Sequence, residues 1–294
     1  MSGRAVAAAL ILMTRPAQLL LVIAVAALGV LVASARGADP DLGAVAIGMA
    51  VLLAFAASIH LANEFADHVT DARTVRTPFS GGSGALQRYP VDRRLAIAGA
   101  RILAAVGIVV ALPAWLSGLI PGIALGVALI GLALGWAYSI GPWPLAWHGW
   151  GEATNALLGG MLLPLYGVTL AGGALDATSG LAFAPFTTLV FANLLATTWP
   201  DRRADASVGK ATLATRWSPR RLRIAYLASL VLGGGALVIS AGLGVPPAIG
   251  VAAISVLPVT AWAAWAYMRI ETPLPTVLAM CWLLVATAAA WLVV

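Results

Sequence analysis

Two acidic stretches in this chain have the residue types and spacing to do chemistry. The first is NEFADHVTDARTVRTPFSGGSGAL, in which Asn63, Asp67 and Asp71 stand four apart. On a helix all three project from one face. Two carboxylates and an amide there make an oxygen-rich patch suited to a hard cation such as Mg²⁺. The second stretch, TTWPDRRADASVGKATL, repeats the spacing at Thr197, Asp201 and Asp205, at an offset of 134 residues. Four carboxylates brought together repel one another unless positive charge lies between them. Mg²⁺ usually takes one or two carboxylates plus phosphates and waters, so two facing pairs suit two ions clamping a diphosphate. Arg73, Arg76, Arg202, Arg203 and Lys210 lie within a few residues of the acids. Arginine forks match phosphate oxygens. The run Gly81-Gly82-Ser83-Gly84 would let backbone N–H groups approach an anion.

The elements that must position these residues are membrane spans. Hydrophobic residues make up 61% of the 294, and charged residues only 10%, against roughly 25% in average soluble domains. So few charges cannot build a water-facing surface, and the mean hydropathy of +0.96 agrees. The net charge of +6 sits in short loops between apolar runs, so it reads as a topology signal and a source of anion ligands rather than a nucleic-acid surface. The single cysteine, Cys281, allows no intramolecular disulfide and no cysteine metal site. Arg4, Arg15 and the Val-Ala-Ser-Ala at 32–35 resemble a secretory signal. The apolar run from Pro16 to Ala35 nevertheless has the length of a span rather than of a signal core.

Nine spans are expected, at about 16–35, 43–62, 95–117, 119–138, 153–173, 180–199, 223–243, 246–268 and 273–293. Basic residues cluster after the second span (Arg73, Arg76, Arg88, Arg93, Arg94) and after the sixth (Arg202, Arg203, Lys210, Arg216, Arg220, Arg221). Only Arg36, beside Asp39 and Asp41, falls on the other side. This bias sets a cytoplasmic N-terminus and an outward C-terminus in the cell's inner (plasma) membrane, which requires an odd number of spans. Both acidic motifs then lie at cytoplasmic ends of even-numbered spans. The expected fold is an all-α membrane protein built from two four-helix halves related by a parallel repeat, with one helix added.

With those residues in view, the chain resembles the UbiA superfamily of membrane prenyltransferases. Asn63, Asp67 and Asp71 match its N-x-x-x-D-x-x-x-D motif. Asp201 and Asp205, followed by Gly209, Lys210, Thr212 and Leu213, match its D-x-x-x-D and G-K-x-T-L pattern. Between them Tyr138-Ser139, Pro142 and Gly149-Trp150-Gly151-Glu152 resemble the family's segment after the fourth span. The resemblance covers nearly the whole chain and implies one integral membrane prenyltransferase domain over residues 1–294. It implies transfer of a prenyl chain from an allylic polyprenyl diphosphate to an acceptor, with the isoprenoid tail between spans. In that scheme Asp67 and Asp71, assisted by Asn63, hold one Mg²⁺, and Asp201 and Asp205 hold the second. Asn63, Arg73, Arg76, Arg202 and Lys210 are the diphosphate-binding candidates. The segment RTPFSGGSGAL resembles the menaquinone-type branch, which implies an aromatic quinone precursor such as a dihydroxynaphthoate. This chain departs from the family at Thr197, where an amide or acid is usual, and at Ala146 and His148, where basic residues are usual.

Other residues carry two readings each. Tyr138 and Ser139, which end the fourth span, are candidates to hydrogen-bond an acceptor. Asn155 and Tyr166 in the fifth are candidates to line a cavity. His60 reads as an acceptor-site base or as a satisfied polar group near the headgroups, and Glu64 as a supporting hydrogen-bond partner. Trp143, Trp147, Trp150, Trp199 and Trp217 read as an interfacial belt, with Trp147 or Trp150 alternatively stacking on an aromatic acceptor. The rival acceptors are a hydroxybenzoate, a tetrapyrrole or a glycerol phosphate lipid. The rival class is a transporter, although transporters place coupling residues near the bilayer midplane, and these acids lie at span ends.

Overall fold

The computed structural model describes residues 3–294, and among them every regular element is helical. A short helix α1 (Gly3–Met13), for which the sequence suggested no element, precedes the first span. Its 11 residues are too few to cross a bilayer. It buries Ala9 and Met13 against Leu61, Ala62 and Ala96. The spans begin with α2 (Pro16–Ala35) and α3 (Leu42–Asp71). After the short α4 (Ala85–Arg88) come α5 (Arg94–Leu116) and α6 (Gly122–Ser139). The fifth span is composite: α7 (Gly151–Ala156), a π-helical segment at Leu157–Leu162, and α8 (Leu163–Leu170). Then follow α9 (Ala177–Ser207), the short α10 (Leu213–Arg216) and α11 (Pro219–Gly242). The chain ends in α12 (Pro247–Ile254), α13 (Leu257–Ala266) and α14 (Leu274–Trp291).

Among the described residues eight helical segments are long and apolar enough to cross a membrane. The expected eighth span is not one straight helix. It breaks between α12 and α13, which meet at 42°, and counted as one bent span it makes nine. Pro258 follows the break and can neither donate an N–H nor accommodate the carbonyl of the preceding turn.

Two spans are longer than the apolar runs suggested. Helix α3 has 30 residues and α9 has 31, so each is about 45 Å long against a hydrocarbon core of about 30 Å. The surplus turns are the acidic motifs, which the helices carry past the apolar layer. Asp41 caps the start of α3, accepting from the Gly43 N–H at 2.6 Å. Asp176 caps α9, accepting from the Ser179 N–H at 2.8 Å. Both caps lie at the end opposite the motifs. There Arg36 also pairs with Asp176 at 2.6 Å and ties the first span to the sixth.

The packing follows the expected repeat. The second span packs on the third (α3 on α5), and the sixth on the seventh (α9 on α11). The first and fifth spans cross at small residues. A Cβ on Gly29 would collide with the Pro164 carbonyl, and one on Gly167 with that of Ala26. Only glycine lets these backbones approach so closely. Ile102, Val109, Val231, Val238 and Val285 are exposed on the outside of the bundle, where lipid solvates them.

Candidate active site

A cavity of about 380 Å³ lies between the motif-bearing ends of α3 and α9. Asn63, Asp67, Asp71, Thr197, Asp201, Asp205 and Lys210 all line it. The four-residue spacing does on each helix what was expected, and the fold turns the two faces toward each other. Within the first motif the Asn63 amide donates to Asp67 Oδ2 at 2.9 Å. The Arg73 guanidinium donates to the carbonyl and hydroxyl of Ser207 at 3.1 and 3.0 Å. Ser207 lies 134 residues further on, the same offset that relates the two motifs, so the equivalent ends of the two helices are tied together.

Lys210 joins the motifs electrically. Its ammonium lies 2.9 Å from Asp67 Oδ2 and 3.7 Å from Asp205 Oδ1. The loop after α9 turns back at Gly209, whose φ of 78° suits glycine, and the Lys210 N–H bonds the Asp205 carbonyl at 2.9 Å. Burial disfavours the lysine charge, but Asp67 and Asp205 outweigh it and hold the ammonium above the usual lysine range.

Four more side chains, of which the sequence offered no role for Arg15, adjoin the site. Arg15 lines the cavity, where its guanidinium donates to Glu64 Oε1 at 2.6 Å and to Asn63 Oδ1 at 3.0 Å. It sits at the α1–α2 junction with φ 54°, a left-handed conformation costing on the order of 1 kcal/mol for a non-glycine residue. Such strain gathers at functional positions. Desolvation works against the Arg15 charge, and Glu64 beside it more than compensates. Glu64 is buried and holds the glycine-rich loop as well, accepting from the Ser83 N–H at 2.8 Å and the Ser83 hydroxyl at 2.6 Å. The Trp147 indole N–H donates to Asp67 Oδ1 at 3.1 Å, so this tryptophan belongs to the site and not to an interfacial belt. Glu152, also buried, accepts the Leu213 N–H at 2.8 Å and pins the loop carrying Lys210 to α7.

The expected residues fall into two groups. Tyr138 and Asn155 line the cavity, and Ser139 touches it through Asn63 at 3.2 Å. Ser80, Gly81 and Gly82 line it too. Gly82 has φ 67° and lies so close to Asp71 that a Cβ there would overlap the carboxylate. Three basic residues do not line the cavity. Arg73 is engaged with Ser207, and the Arg76 Nε donates to the Gly82 carbonyl at 3.2 Å on the exposed side of the loop. Arg202 forks Glu271 at 2.9 and 3.0 Å and stacks on Trp199. Its neighbour Asp201 faces the cavity, and one residue along a helix is about 100° of rotation. His60 lines the cavity with its Nδ1 bonded to the Thr14 carbonyl at 2.7 Å. A carbonyl only accepts, so Nδ1 carries the proton. Tyr166 donates to the Gly48 carbonyl at 2.8 Å, deep in the bundle.

The charge balance decides what the cavity can hold. Five carboxylates line it (Asp67, Asp71, Glu152, Asp201, Asp205) against two cationic side chains, Arg15 and Lys210. Asp201 Oδ1 and Glu152 Oε2 are buried with no hydrogen-bond partner. Among the described residues no three carboxylate, histidine or cysteine side chains converge as a metal cage. The acids are paired instead, which fits Mg²⁺ that completes its shell with waters and ligand phosphates.

Below the acids the cavity shares Ile59, Asn155, Gly159 and Leu163 with an adjoining apolar pocket, so the space has two branches. One branch is apolar and runs between α3, α6 and the fifth span past Ile59, Phe55, Gly131 and Leu162. The other runs along α7 and α9 past Asn155, Thr197 and Asn193. The Asn193 amide oxygen is buried there with no partner.

A helical membrane bundle with two facing acidic motifs over a half-apolar cavity defines a class: an integral membrane protein with an acidic site at one end of its spans. The chain belongs to the UbiA prenyltransferase family, whose sequence model matches residues 19–284. It is a membrane prenyltransferase. No curated protein sequence matches it. A structure of a UbiA homolog from Archaeoglobus fulgidus, bound to DMAPP and Mg²⁺, superposes with a TM-score of 0.71 at 15% identity, covering 97% of this chain and 99% of that one. The apo structure of a UbiA homolog from Aeropyrum pernix K1 gives 0.71 at 18% identity, covering 94% and 97%. A digeranylgeranylglyceryl phosphate synthase gives 0.70 at 14% identity, covering 98% and 99%.

Proposed function

We propose that this protein transfers a prenyl chain from an allylic polyprenyl diphosphate to an aromatic quinone precursor, a dihydroxynaphthoate by preference, and releases pyrophosphate. The observation that carries the reading is the convergence of both aspartate pairs and Lys210 at the mouth of a cavity with one apolar branch. A diphosphate with an isoprenoid tail has that polarity. The acids would face the cytoplasm and the N-terminus would lie on that side of the plasma membrane, as the basic loops suggest.

Asp67 and Asp71 with Asn63, and Asp201 with Asp205, are the residues that would hold Mg²⁺. When bound, Mg²⁺ supplies the positive charge that stabilises a departing diphosphate. Lys210 and Arg15 are the two cationic side chains facing the same space, and they would bind phosphate oxygens. Arg15 is oriented for this by Glu64, and Asp67 is held in place by Asn63 and Trp147. Arg73, Arg76 and Arg202 act at the rim, where they fix loops. Preorganised charge of this kind stabilises the leaving group at no reorganisation cost. As the allylic C–O bond breaks, the apolar wall of Ile59, Phe55 and Leu163 keeps water from the electron-poor carbon.

The acceptor would enter beside α7 and α9. Asn193, Asn155 and Tyr138 offer hydrogen bonds to ring hydroxyls there, and the unpartnered Asn193 oxygen calls for a donor such as a phenol. The test is a detergent assay with geranylgeranyl diphosphate and Mg²⁺ against dihydroxynaphthoate, hydroxybenzoate, a tetrapyrrole and a glycerol phosphate lipid. Pyrophosphate and product mass are followed, with Asp67→Asn and Asp201→Asn as controls. Prenylated dihydroxynaphthoate that disappears in both variants and with chelator supports the reading. Product on another acceptor alone overturns the quinone assignment. No Mg²⁺-dependent pyrophosphate release with any chain length overturns the site assignment.

A further inference from the structure

The apolar branch has walls that differ residue by residue. We infer that Gly131 on α6, together with Gly159 in the π-helical segment, sets the prenyl-chain length this protein accepts by leaving room for the third isoprenyl unit. The inference rests on the diphosphate reading above.

Both glycines line the apolar branch. A Cβ on Gly131 would meet nothing within 4 Å, and one on Gly159 would meet only Asn155 and Val190 atoms at 3.9 Å. Neither glycine is therefore required by packing, unlike Gly29 or Gly167. Neither has the positive φ that demands glycine. Glycine in a helix interior is destabilising relative to alanine, and these two give no close helix contact in return. What they leave is open space inside the channel. The π-helical turn at Leu157–Leu162 adds to this by displacing the wall between α7 and α8.

The depth gives the chain length. Tyr138 lines the cavity at the level of the acids, and Gly131 lies seven residues earlier on α6, about 10 Å along the axis. An isoprenyl unit adds four chain bonds, about 5 Å when extended. Two units therefore reach Gly131, and the third passes it. Phe55 and Tyr166 also line the branch. Both are fixed, Tyr166 by its bond to the Gly48 carbonyl and Phe55 by its seat against Gly107, where a Cβ would strike the ring. Leu132, one residue nearer the acids, and Leu162 complete the wall, both part-buried.

The test is binding rather than turnover. Geranyl and geranylgeranyl diphosphates are titrated calorimetrically into the full chain with Mg²⁺ and no acceptor. Gly131→Leu is expected to lower the affinity for geranylgeranyl relative to geranyl diphosphate by about tenfold or more, since a side chain forced into occupied space is not accommodated. Gly126→Leu is the control, on the same helix, with open space around it and outside the cavity. It should leave the ratio unchanged. Should Gly131→Leu fail to fold, Gly131→Ala with Gly159→Ala meets no close contact and should shift the ratio in the same direction by less. An unchanged preference in proteins that bind both diphosphates overturns this inference alone. A wild-type protein that binds neither overturns the proposed function as well.

Discussion

Replacing Lys210 with methionine should destabilise the metal-free protein and increase its response to Mg²⁺. The ammonium lies 2.9 Å from Asp67 and 3.7 Å from Asp205, with 11% of the lysine side chain exposed. At an effective dielectric of about 20 these separations correspond to roughly 6 and 4 kcal/mol of attraction. Desolvating the lysine offsets most of that, by several kcal/mol. Methionine keeps the apolar stem and leaves two buried carboxylates facing each other, for a net loss of about 3 kcal/mol. For a chain of this size that is a fall of about 6 °C in Tm. The assay is thermal unfolding followed by intrinsic fluorescence of the eleven tryptophans, in chelator and in Mg²⁺. A bound ligand stabilises by about 2.7 kcal/mol at a hundredfold excess over its Kd. In the wild-type protein Mg²⁺ would have to compete with the lysine for Asp67 and Asp205; in Lys210→Met it would not. The gap between the two proteins should therefore shrink by at least half in Mg²⁺. Equal Tm values in chelator, or equal Mg²⁺ shifts in the two proteins, would refute the claim that Lys210 is the counter-ion of the acid cluster.

Gly82→Ala drives a Cβ into the Asp71 carboxylate at a φ of 67°. It should cut kcat/KM by about a hundredfold, the usual effect of an ångström-scale displacement, while circular dichroism stays unchanged; near-wild-type turnover would contradict the geometry. Arg202→Ala removes a fork to Glu271, whose side chain is 63% exposed. It should change stability by less than about 1 kcal/mol and kcat/KM by no more than a few-fold, and a large rise in KM would return Arg202 to the diphosphate site. The Arg36 guanidinium and the Ser179 N–H hold the Asp176 carboxyl well below the usual carboxylate range. The folded value is depressed, so its stabilisation is present above the unfolded value near 3.9 and is lost as pH falls through the folded one. The Tm difference between wild type and Asp176→Asn should therefore be full at neutral pH and narrow in acid. It should also shrink with salt because the pair is part-exposed; a difference independent of pH would refute the pairing.

The acid motifs were readable because a helix repeats its face every three to four residues, so Asn63, Asp67 and Asp71 announce one face whatever packs against it. Lys210 was readable as a basic residue just past the second motif. Arg202 was misleading for the same reason: adjacency to Asp201 along the chain says nothing of azimuth, and the helix turns its guanidinium to Glu271. The partners of Asp67 lie far off in sequence, Trp147 at 80 residues and Lys210 at 143, and no local pattern encodes such pairs.

By itself the sequence determined the membrane class, the nine apolar runs and the acid pairs, because solvent transfer and helical periodicity are local properties. The tertiary structure alone decided that Arg15 turns inward to Glu64 and that Trp147 leaves the interface for Asp67. It also decided that an apolar pocket adjoins the acidic cavity opposite its Asn193 side. Those outcomes depend on which buried groups find partners once distant helices meet, and that is a property of the packed bundle.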